Sequence, residues 1–292
     1  MIKKCKSISI KKVNKLPNLF IVGAGKSGTT SLYEYLKEHP DVYMSPIKEP
    51  HFLADKRKLM EHFDINIKDI ITNEKDYLKL FQGAKNEKIL GEASTSYLYY
   101  TDPKIIKEKF PNSKIIIMLR NPIERAWSHY LMGIRGGFIN PYKISFREAI
   151  NKFPIIIRLG FYSKNVYRYL KVFGSDLHII LFDDFRENTL EVIEKVYQFL
   201  DINNYIPKLE IYNKGVLPRN KFSFYLIKIY RKVKFYKFVP KNLKTKVKPF
   251  LFIDKKKEIS DKDKKFLLKL YKEDILELSK ILGRDLSHWL EL

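Results

Sequence analysis

Cysteine and acidic residues are both scarce in this sequence of 292 residues. The single cysteine, Cys5, excludes an internal disulfide framework. There are 33 acidic residues against 56 lysines and arginines, which gives a formal net charge of +23. A positive charge of this size indicates anionic partners, such as a nucleotide, a nucleic acid, an acidic glycan or a membrane surface.

Long hydrophobic runs are also missing. No stretch approaches the roughly 18 apolar residues that a membrane span needs. Residues 1–16 form a basic tail that lacks the apolar core of a secretory signal. The chain is long enough for a sizeable core, and we find no internal repeat or low-complexity linker in it. We therefore predict a single domain over residues 1–292.

The strongest local pattern is the sequence LFIVGAGKSGTTSL at residues 19–32. Its apolar first part predicts a buried strand, and a glycine-rich turn then leads into a helix. Such a turn directs free N–H groups and the positive end of the helix dipole at one point, which predicts an anion site. Lys26 adds a full charge there, and Ser27, Thr29 and Thr30 add hydroxyl donors.

Two nucleotide-binding patterns fit this loop only in part. The P-loop pattern starts well but has Thr29 where lysine is required. The dinucleotide pattern matches Gly23, Gly25 and Gly28, but it also needs an acidic residue at the end of the second strand. The nearest one, Glu49, lies beyond a proline and a lysine. An ordinary strand–helix turn that binds nothing is the remaining alternative.

Strands alternate with helices along the chain, which predicts an α/β fold with a central parallel sheet flanked by helices. The clearest buried strand is Lys114–Leu119, and helices are expected over 122–132, 145–151, 162–173, 189–200 and 260–282. Ligands gather at the carboxyl ends of parallel strands. Polar residues at four such ends predict one shared site, formed by Lys26, Lys48, Glu92 and Arg120.

Several of these segments resemble one enzyme family. The loop Lys-x-Gly-Thr-Thr-Ser-Leu is similar to the 5′-phosphosulfate loop of sulfotransferases that use 3′-phosphoadenylyl sulfate (PAPS). Arg120-Asn121-Pro122 with Ser128 is similar to their 3′-phosphate site, and Gly91-Glu92-Ala93-Ser94 resembles the Gly-Glu-x-Ser segment of glycan sulfotransferases. The similarity covers most of residues 18–220 and implies a P-loop-like α/β fold.

The resemblance also implies roles for individual residues. Lys26 would stabilise the leaving phosphate and Glu92 would be the general base, with His51 as the alternative base. The 5′-phosphosulfate would be held by Ser27, Gly28, Thr29 and Thr30. The 3′-phosphate would be held by Arg120 and Ser128, with a late loop of Lys214, Gly215 and Arg219. Lys48 and Tyr162 would lie near the acceptor, together with His51. No metal is expected.

We therefore expect a PAPS-dependent sulfotransferase that releases adenosine 3′,5′-bisphosphate (PAP). Its acceptor would be an acidic or neutral carbohydrate, sulfated on a hydroxyl or an amine, with no nucleic-acid partner. The missing membrane anchor favours a cytoplasmic location, with peripheral contact to an anionic membrane as an addition. The alternatives are a P-loop kinase of a small molecule and a basic protein that binds nucleic acid or membranes.

One segment, 219–257, matches nothing in the resembled family. It holds 14 lysines and arginines against one acidic residue, Asp254, with aromatic residues between them. It fits a solvated basic face, a rim for an anionic acceptor or a contact with acidic lipids.

Overall fold

The computed structural model describes residues 15–62, 70–210, 217–232, 250–253 and 258–291. Five parallel strands form its centre: β1 (Leu19–Gly23), β2 (Val42–Met44), β3 (Ile89–Ala93), β4 (Lys114–Leu119) and β5 (Leu177–Leu181). Their order across the sheet is β2-β3-β1-β4-β5, and every neighbouring pair is parallel. The predicted central parallel sheet is confirmed.

Helices connect the strands and cover both faces of the sheet. In chain order they are α1 (Thr29–Glu38), α2 (Lys56–His62), α3 (Glu74–Lys79), α4 (Tyr97–Tyr100), α5 (Pro103–Lys109), α6 (Pro122–Arg135), α7 (Phe146–Lys152), α8 (Ile155–Arg158), α9 (Ser163–Phe173), α10 (Phe182–Glu187), α11 (Thr189–Leu200), α12 (Lys221–Lys232) and α13 (Asp261–Leu282). A short antiparallel pair, β6 (Leu217–Pro218) with β7 (Phe252–Ile253), lies outside the main sheet. No helix in these ranges is both long enough and apolar enough to cross a bilayer.

The sheet separates two hydrophobic cores, because successive side chains of a strand point to opposite faces. In β4, Ile115 and Ile117 face the core that is shared with α9 and α13, whereas Ile116 faces the core shared with α1 and α11. Every residue of β1 and β3 is buried. A strand covered on both faces is expected to be apolar throughout, as β1 and β4 are.

Local signals in the sequence set most helix boundaries. Asp102 accepts a hydrogen bond from Lys104 N at the start of α5, and Ser145 forms a reciprocal capping box with Glu148 at the start of α7. Gly283, at φ 59°, ends α13 as predicted. The short helices α4, α8 and α10 are not predicted by the sequence pattern, because segments of 4 to 6 residues show no helical period.

Candidate active site

The loop after β1 presents a group of unpaired N–H donors. Gly28 precedes α1 with φ 90°, and a Cβ there would lie 3.0 Å from the Phe182 ring. Only glycine fits both the left-handed backbone and the close approach. Within the described part of the chain, no acceptor pairs with the N–H groups of residues 27–30. These four donors at a helix N-terminus have the geometry of an anion site.

Ser27 adds a side-chain donor to this group. Its hydroxyl is fully buried beside Tyr162 and has no well-oriented hydrogen-bond partner among the residues that the structure describes. Ser27 and Tyr162 lie close enough to interact, and because a hydroxyl can rotate, that of Ser27 can also turn toward an anion at the loop. Thr29 is also buried, and Thr30 is partly exposed.

Lys26 lies in a strongly positive environment. Burial and the nearby charges of Arg135, Arg120 and Arg125 lower the pKa of the Lys26 ammonium to about 8, and Lys48 contributes to the same effect. Glu124 pairs with Arg120 and Glu49 pairs with Lys48, but no acidic residue appears among the groups that act on Lys26. A positive environment of this kind favours a bound anion. Lys48 and Arg120 lie near enough to Lys26 to act on its charge, as do Arg125 and Arg135, and one shared site formed by the predicted residues stays a prediction.

Arg120 joins the end of β4 to this loop. Its Nη1 lies 3.4 Å from the carbonyl oxygen of Lys26, at the edge of hydrogen-bond distance. Its Nε and Nη2 bond to one carboxylate oxygen of Glu124, at 3.0 and 2.8 Å, and its guanidinium lies 4.7 Å from the centre of the Phe182 ring. Arg120 is thus held beside the loop by a carboxylate that is itself 44% exposed.

Ser128 lies on the helix that follows Arg120. It is partly buried and is one turn beyond Glu124 on α6, so the two residues share a helix face. Arg120 therefore bonds to the residue one turn before Ser128 on α6. A phosphate contact shared by Arg120 and Ser128 stays a prediction.

Tyr162 fixes the position of Arg120 and is not open to solvent. Its hydroxyl donates to the carbonyl oxygen of Arg120 at 3.0 Å, and burial raises the pKa of this hydroxyl well above its usual value. The Tyr162 N–H donates to Asp274 at 2.7 Å, and the Ser163 hydroxyl donates to the same carboxylate at 2.5 Å. The structure therefore gives Tyr162 a supporting position and not the predicted contact with the acceptor.

Glu92, near the end of β3, is enclosed by hydroxyl groups. Its carboxylate is fully buried and accepts hydrogen bonds from the hydroxyls of Tyr77, Tyr97 and Ser94, at 2.7, 2.8 and 2.8 Å. Burial raises the pKa of Glu92 to about 7, although these hydroxyls stabilise the ionised form. An acceptor cannot reach this carboxylate without displacing a core tyrosine, so the structure does not place Glu92 at the shared strand-end site.

Glu49 is the carboxylate that the structure brings to the site instead. It accepts hydrogen bonds from the N–H and hydroxyl of Thr95, at 2.8 and 3.1 Å, and lies 3.0 Å from Lys48 Nζ. Thr95 touches the anion loop, because a Cβ on Gly25 would lie 3.5 Å from its hydroxyl. The Glu49 side chain is 28% exposed, and its backbone has φ 62°. Such backbone strain in a non-glycine residue is concentrated at functional sites.

Two histidines lie near the cluster. His51, also at positive φ, has its Nδ1 2.8 Å from the Ser96 hydroxyl and 3.8 Å from Glu49. Burial lowers the pKa of His51, as it does for His129, where the charges of Arg125 and Lys26 add to the effect and bring the pKa to about 3. Both imidazoles are therefore neutral at physiological pH.

The predicted late phosphate loop is only partly described. Lys214 and Gly215 lie outside the described residues. Arg219 is exposed, and its N–H donates to the carbonyl oxygen of Leu251 at 2.9 Å. Its contribution to the site stays a prediction.

The sequence analysis gives Glu49, Arg125 and Asp274 no role in the site. Glu49 has a local signal, because an acidic residue between lysine and proline lies in the loop after β2. Arg125 is fully buried with no carboxylate in ion-pair distance among the described residues, but its spacing on α6 looks like that of any helical arginine. Asp274 accepts a hydrogen bond from Tyr162 N, 112 residues away in sequence, and no local sequence pattern predicts that contact.

The fold and the loop together define a P-loop-like α/β protein with an anion site at the carboxyl ends of its strands. The model of the "Sulfotransferase family" matches residues 17–206, and the chain belongs to this family.

Known proteins of this family are similar in sequence and in fold. Human carbohydrate sulfotransferase 15 is 28% identical, and the match covers 67% of this chain and 45% of that protein. Human heparan sulfate glucosamine 3-O-sulfotransferase 6 is 28% identical over 54% of this chain and 44% of that protein. The chain thus spans less than half the length of these relatives. The crystal structure of a sulfotransferase from Alicyclobacillus acidocaldarius matches with a TM-score of 0.71 and 28% identity, covering 95% of this chain and 100% of that one.

Proposed function

We propose that this chain transfers the sulfuryl group of PAPS to a hydroxyl or amine of a carbohydrate and releases PAP. The proposal depends on one observation: the loop after β1 and Arg120 at the end of β4 are in contact. Arg120 Nη1 lies 3.4 Å from the carbonyl oxygen of Lys26, so two candidate anion sites are adjacent. A donor with phosphate groups at both its 5′ and 3′ positions suits such a pair. The unpaired N–H groups of residues 27–30 and the neighbouring Ser27 hydroxyl fit the 5′ end.

Lys26 is the group that would lower the barrier. The bound donor supplies a sulfuryl group, whose bond to a phosphate oxygen breaks as the acceptor atom bonds to sulfur. Negative charge grows on that phosphate oxygen, and an ammonium beside it stabilises the transition state more than the ground state. With a pKa of about 8, Lys26 keeps its proton at neutral pH. Arg120 and Ser128 hold the 3′-phosphate in this proposal.

We propose Glu49, in place of Glu92, as the base that takes the proton of the acceptor. A base must reach within hydrogen-bond distance of that proton. The Glu49 carboxylate is partly exposed and is held by Thr95 beside the anion loop, whereas the Glu92 carboxylate is fully enclosed by hydroxyls. Lys48 and His51 flank Glu49 and would contact the acceptor from the same loop.

The nature of the acceptor is also a proposal. Two of the similar proteins are named for carbohydrate and heparan sulfate acceptors, which supports a carbohydrate for this chain. The cationic cluster suits an acidic sugar, and a neutral one stays open. The cytoplasmic location, the single domain, the independence from metal and the absence of a nucleic-acid partner remain predictions.

Titration calorimetry with PAP and with ATP, each with and without magnesium, tests the donor. We expect PAP to bind with micromolar affinity without metal, because backbone N–H groups and fixed cations do the binding. Arg120→Ala should abolish this binding, since it removes the bidentate partner of one phosphate. Lys221→Ala, a change of an exposed cation outside the site, is the matched control and should leave binding unchanged.

Other results would point to the alternatives. A preference for ATP with magnesium would indicate a kinase. Binding of nucleic acid that depends strongly on salt and survives Lys26→Ala, without binding of PAP, would indicate that charge alone is the function.

A further inference from the structure

Exposed apolar side chains gather at one place on the described surface. On α12, Phe222, Leu226 and Ile229 are 71%, 37% and 59% exposed. Nearby, Phe138, Phe250 and Ile253 are 60%, 76% and 38% exposed. We call these six residues the apolar patch. Scattered exposed apolar residues are ordinary, but a contiguous group of this kind marks an interaction site.

Backbone contacts bring the three parts of the apolar patch together. Phe222, Leu226 and Ile229 recur at intervals of four and three residues and so form one stripe along α12. Phe138 follows Gly137, where a Cβ would lie 3.3 Å from the Cα of Lys228. Phe250 and Ile253 are brought to the start of α12 by the β6–β7 pair and by the bond from Arg219 N to the Leu251 carbonyl.

The exposed stripe is not the core-facing side of α12. That side carries Phe224 and Ile227, which are 0% and 4% exposed. Asn220 starts the helix by accepting a hydrogen bond from Ser223 N at 2.8 Å, and Asn140 donates to the Tyr225 hydroxyl at 3.3 Å. The helix is therefore anchored on one side and carries a second apolar stripe that faces outward.

The described charges on this part of the chain are positive. Arg219, Lys221 and Lys228 are exposed at the start of α12 and along it. In sequence, residues 211–253 contain no aspartate or glutamate. Aromatic and aliphatic side chains with flanking lysines are typical of segments that lie in the headgroup region of an anionic membrane. A nucleic acid could bind the lysines and stack on the aromatic rings, but binding of nucleic acid does not explain why the aliphatic Leu226 and Ile229 are exposed.

We propose that the apolar patch docks this protein onto an anionic lipid surface. Its position also bears on the acceptor, and this second step rests on the proposed sulfotransferase function. Helix α6 bonds to Arg120 through Glu124 and also packs against β6, which in turn packs against α12. One helix thus connects the anion site to the docked face, and we infer that the acceptor is a saccharide attached to a lipid and presented at the membrane.

Vesicle co-sedimentation with the full chain tests the docking. We expect binding to phosphatidylglycerol vesicles to be at least about tenfold stronger than to pure phosphatidylcholine, and to weaken with salt, because each lysine near the surface adds to the attraction. The double variant Phe222→Ser with Ile229→Ser should partition about tenfold more weakly, since it removes buried apolar area from the bilayer. Leu190→Ser with Ile206→Ser changes residues that are 48% and 81% exposed elsewhere and is the matched control.

Calorimetry with PAP separates this proposal from the sulfotransferase proposal. All variants should keep the affinity of the wild type for PAP if they fold. Equal binding to neutral and anionic vesicles, or undiminished binding by the Phe222/Ile229 variant, would overturn the docking whatever the PAP result. Binding to a soluble sulfated glycan that Lys221→Glu with Lys228→Glu abolishes, while the apolar variant keeps it, would make this surface a glycan site instead.

Discussion

At the scale of single residues, two carboxylates compete for one role. Glu92 is the last residue but one of β3, where a base is expected, yet three hydroxyls enclose it and burial raises its pKa to about 7. Glu49 comes from a loop, has a strained backbone and keeps part of its carboxylate in solvent. Which of two carboxylates reaches the acceptor depends on tertiary packing, and the local sequence does not contain that information.

Glu49→Gln and Glu92→Gln form a matched pair of variants. We expect Glu49→Gln to lower kcat by about 10²- to 10⁴-fold, because the acceptor loses its base, and to keep the affinity for PAP. Glu92→Gln should keep most of its turnover. The assay uses radiolabelled PAPS with desulfated heparan sulfate as the test acceptor. If Glu49→Gln kept full turnover and Glu92→Gln lost turnover, Glu92 and not Glu49 would be the base.

The ionisation of Lys26 predicts a pH limit on catalysis. The charged form is the active one, and burial lowers its pKa to about 8 in the free protein. Deprotonation therefore removes activity as the pH rises through this value, and kcat/KM, which reports the free enzyme, should fall above about pH 8.

Lys26→Arg provides the control for this limit, because arginine does not lose its proton in this range. Whatever activity it retains should stay level above pH 8. An identical alkaline decline in both proteins would assign the decline to another group.

At the scale of elements, a contact over a long sequence distance supports the site. Asp274 on α13 accepts hydrogen bonds from the backbone of Tyr162 and Ser163 and from the Ser163 hydroxyl. It thereby ties the start of α9 to α13, and Tyr162 in turn holds the carbonyl of Arg120. This element contact positions a residue of the proposed 3′-phosphate site.

Asp274→Ala should destabilise the protein and weaken PAP binding. Leaving three donors without an acceptor costs about 3 kcal/mol in the free energy of unfolding, which urea denaturation measures. Glu277→Ala, an exposed change on the same helix, should stay within about 0.5 kcal/mol. Equal stability of the two variants would show that Asp274 does not carry this contact.

The elements that the sequence predicts well are those with local causes. The apolar run of β4, the glycine loop before α1 and the caps of α5 and α7 each act within a few residues. Contacts such as Asp274 with Tyr162, or the exposed stripe of α12, depend on what the fold places beside a segment. An apolar periodicity predicts a buried face, but it does not show that a helix has two apolar faces.

At the scale of the whole molecule, the sheet topology and the positive charges both indicate a binding site at the carboxyl ends of the strands. The sheet order places β1 between β3 and β4, so the loops that follow these strands adjoin at one edge. Part of the positive charge lies at this edge, where four cations act on Lys26, and the exposed Lys221 and Lys228 on α12 lie near the apolar patch. We infer that one region binds the donor and the other brings the protein to its acceptor.

A crystal structure of the complex with PAP would locate both phosphates of the nucleotide. We expect one nucleotide whose 5′-phosphate contacts the N–H groups of residues 27–30 and whose 3′-phosphate contacts Arg120 and Ser128. A nucleotide bound elsewhere, or one that touches the loop while its 3′-phosphate lies in solvent away from Arg120, would contradict this expectation.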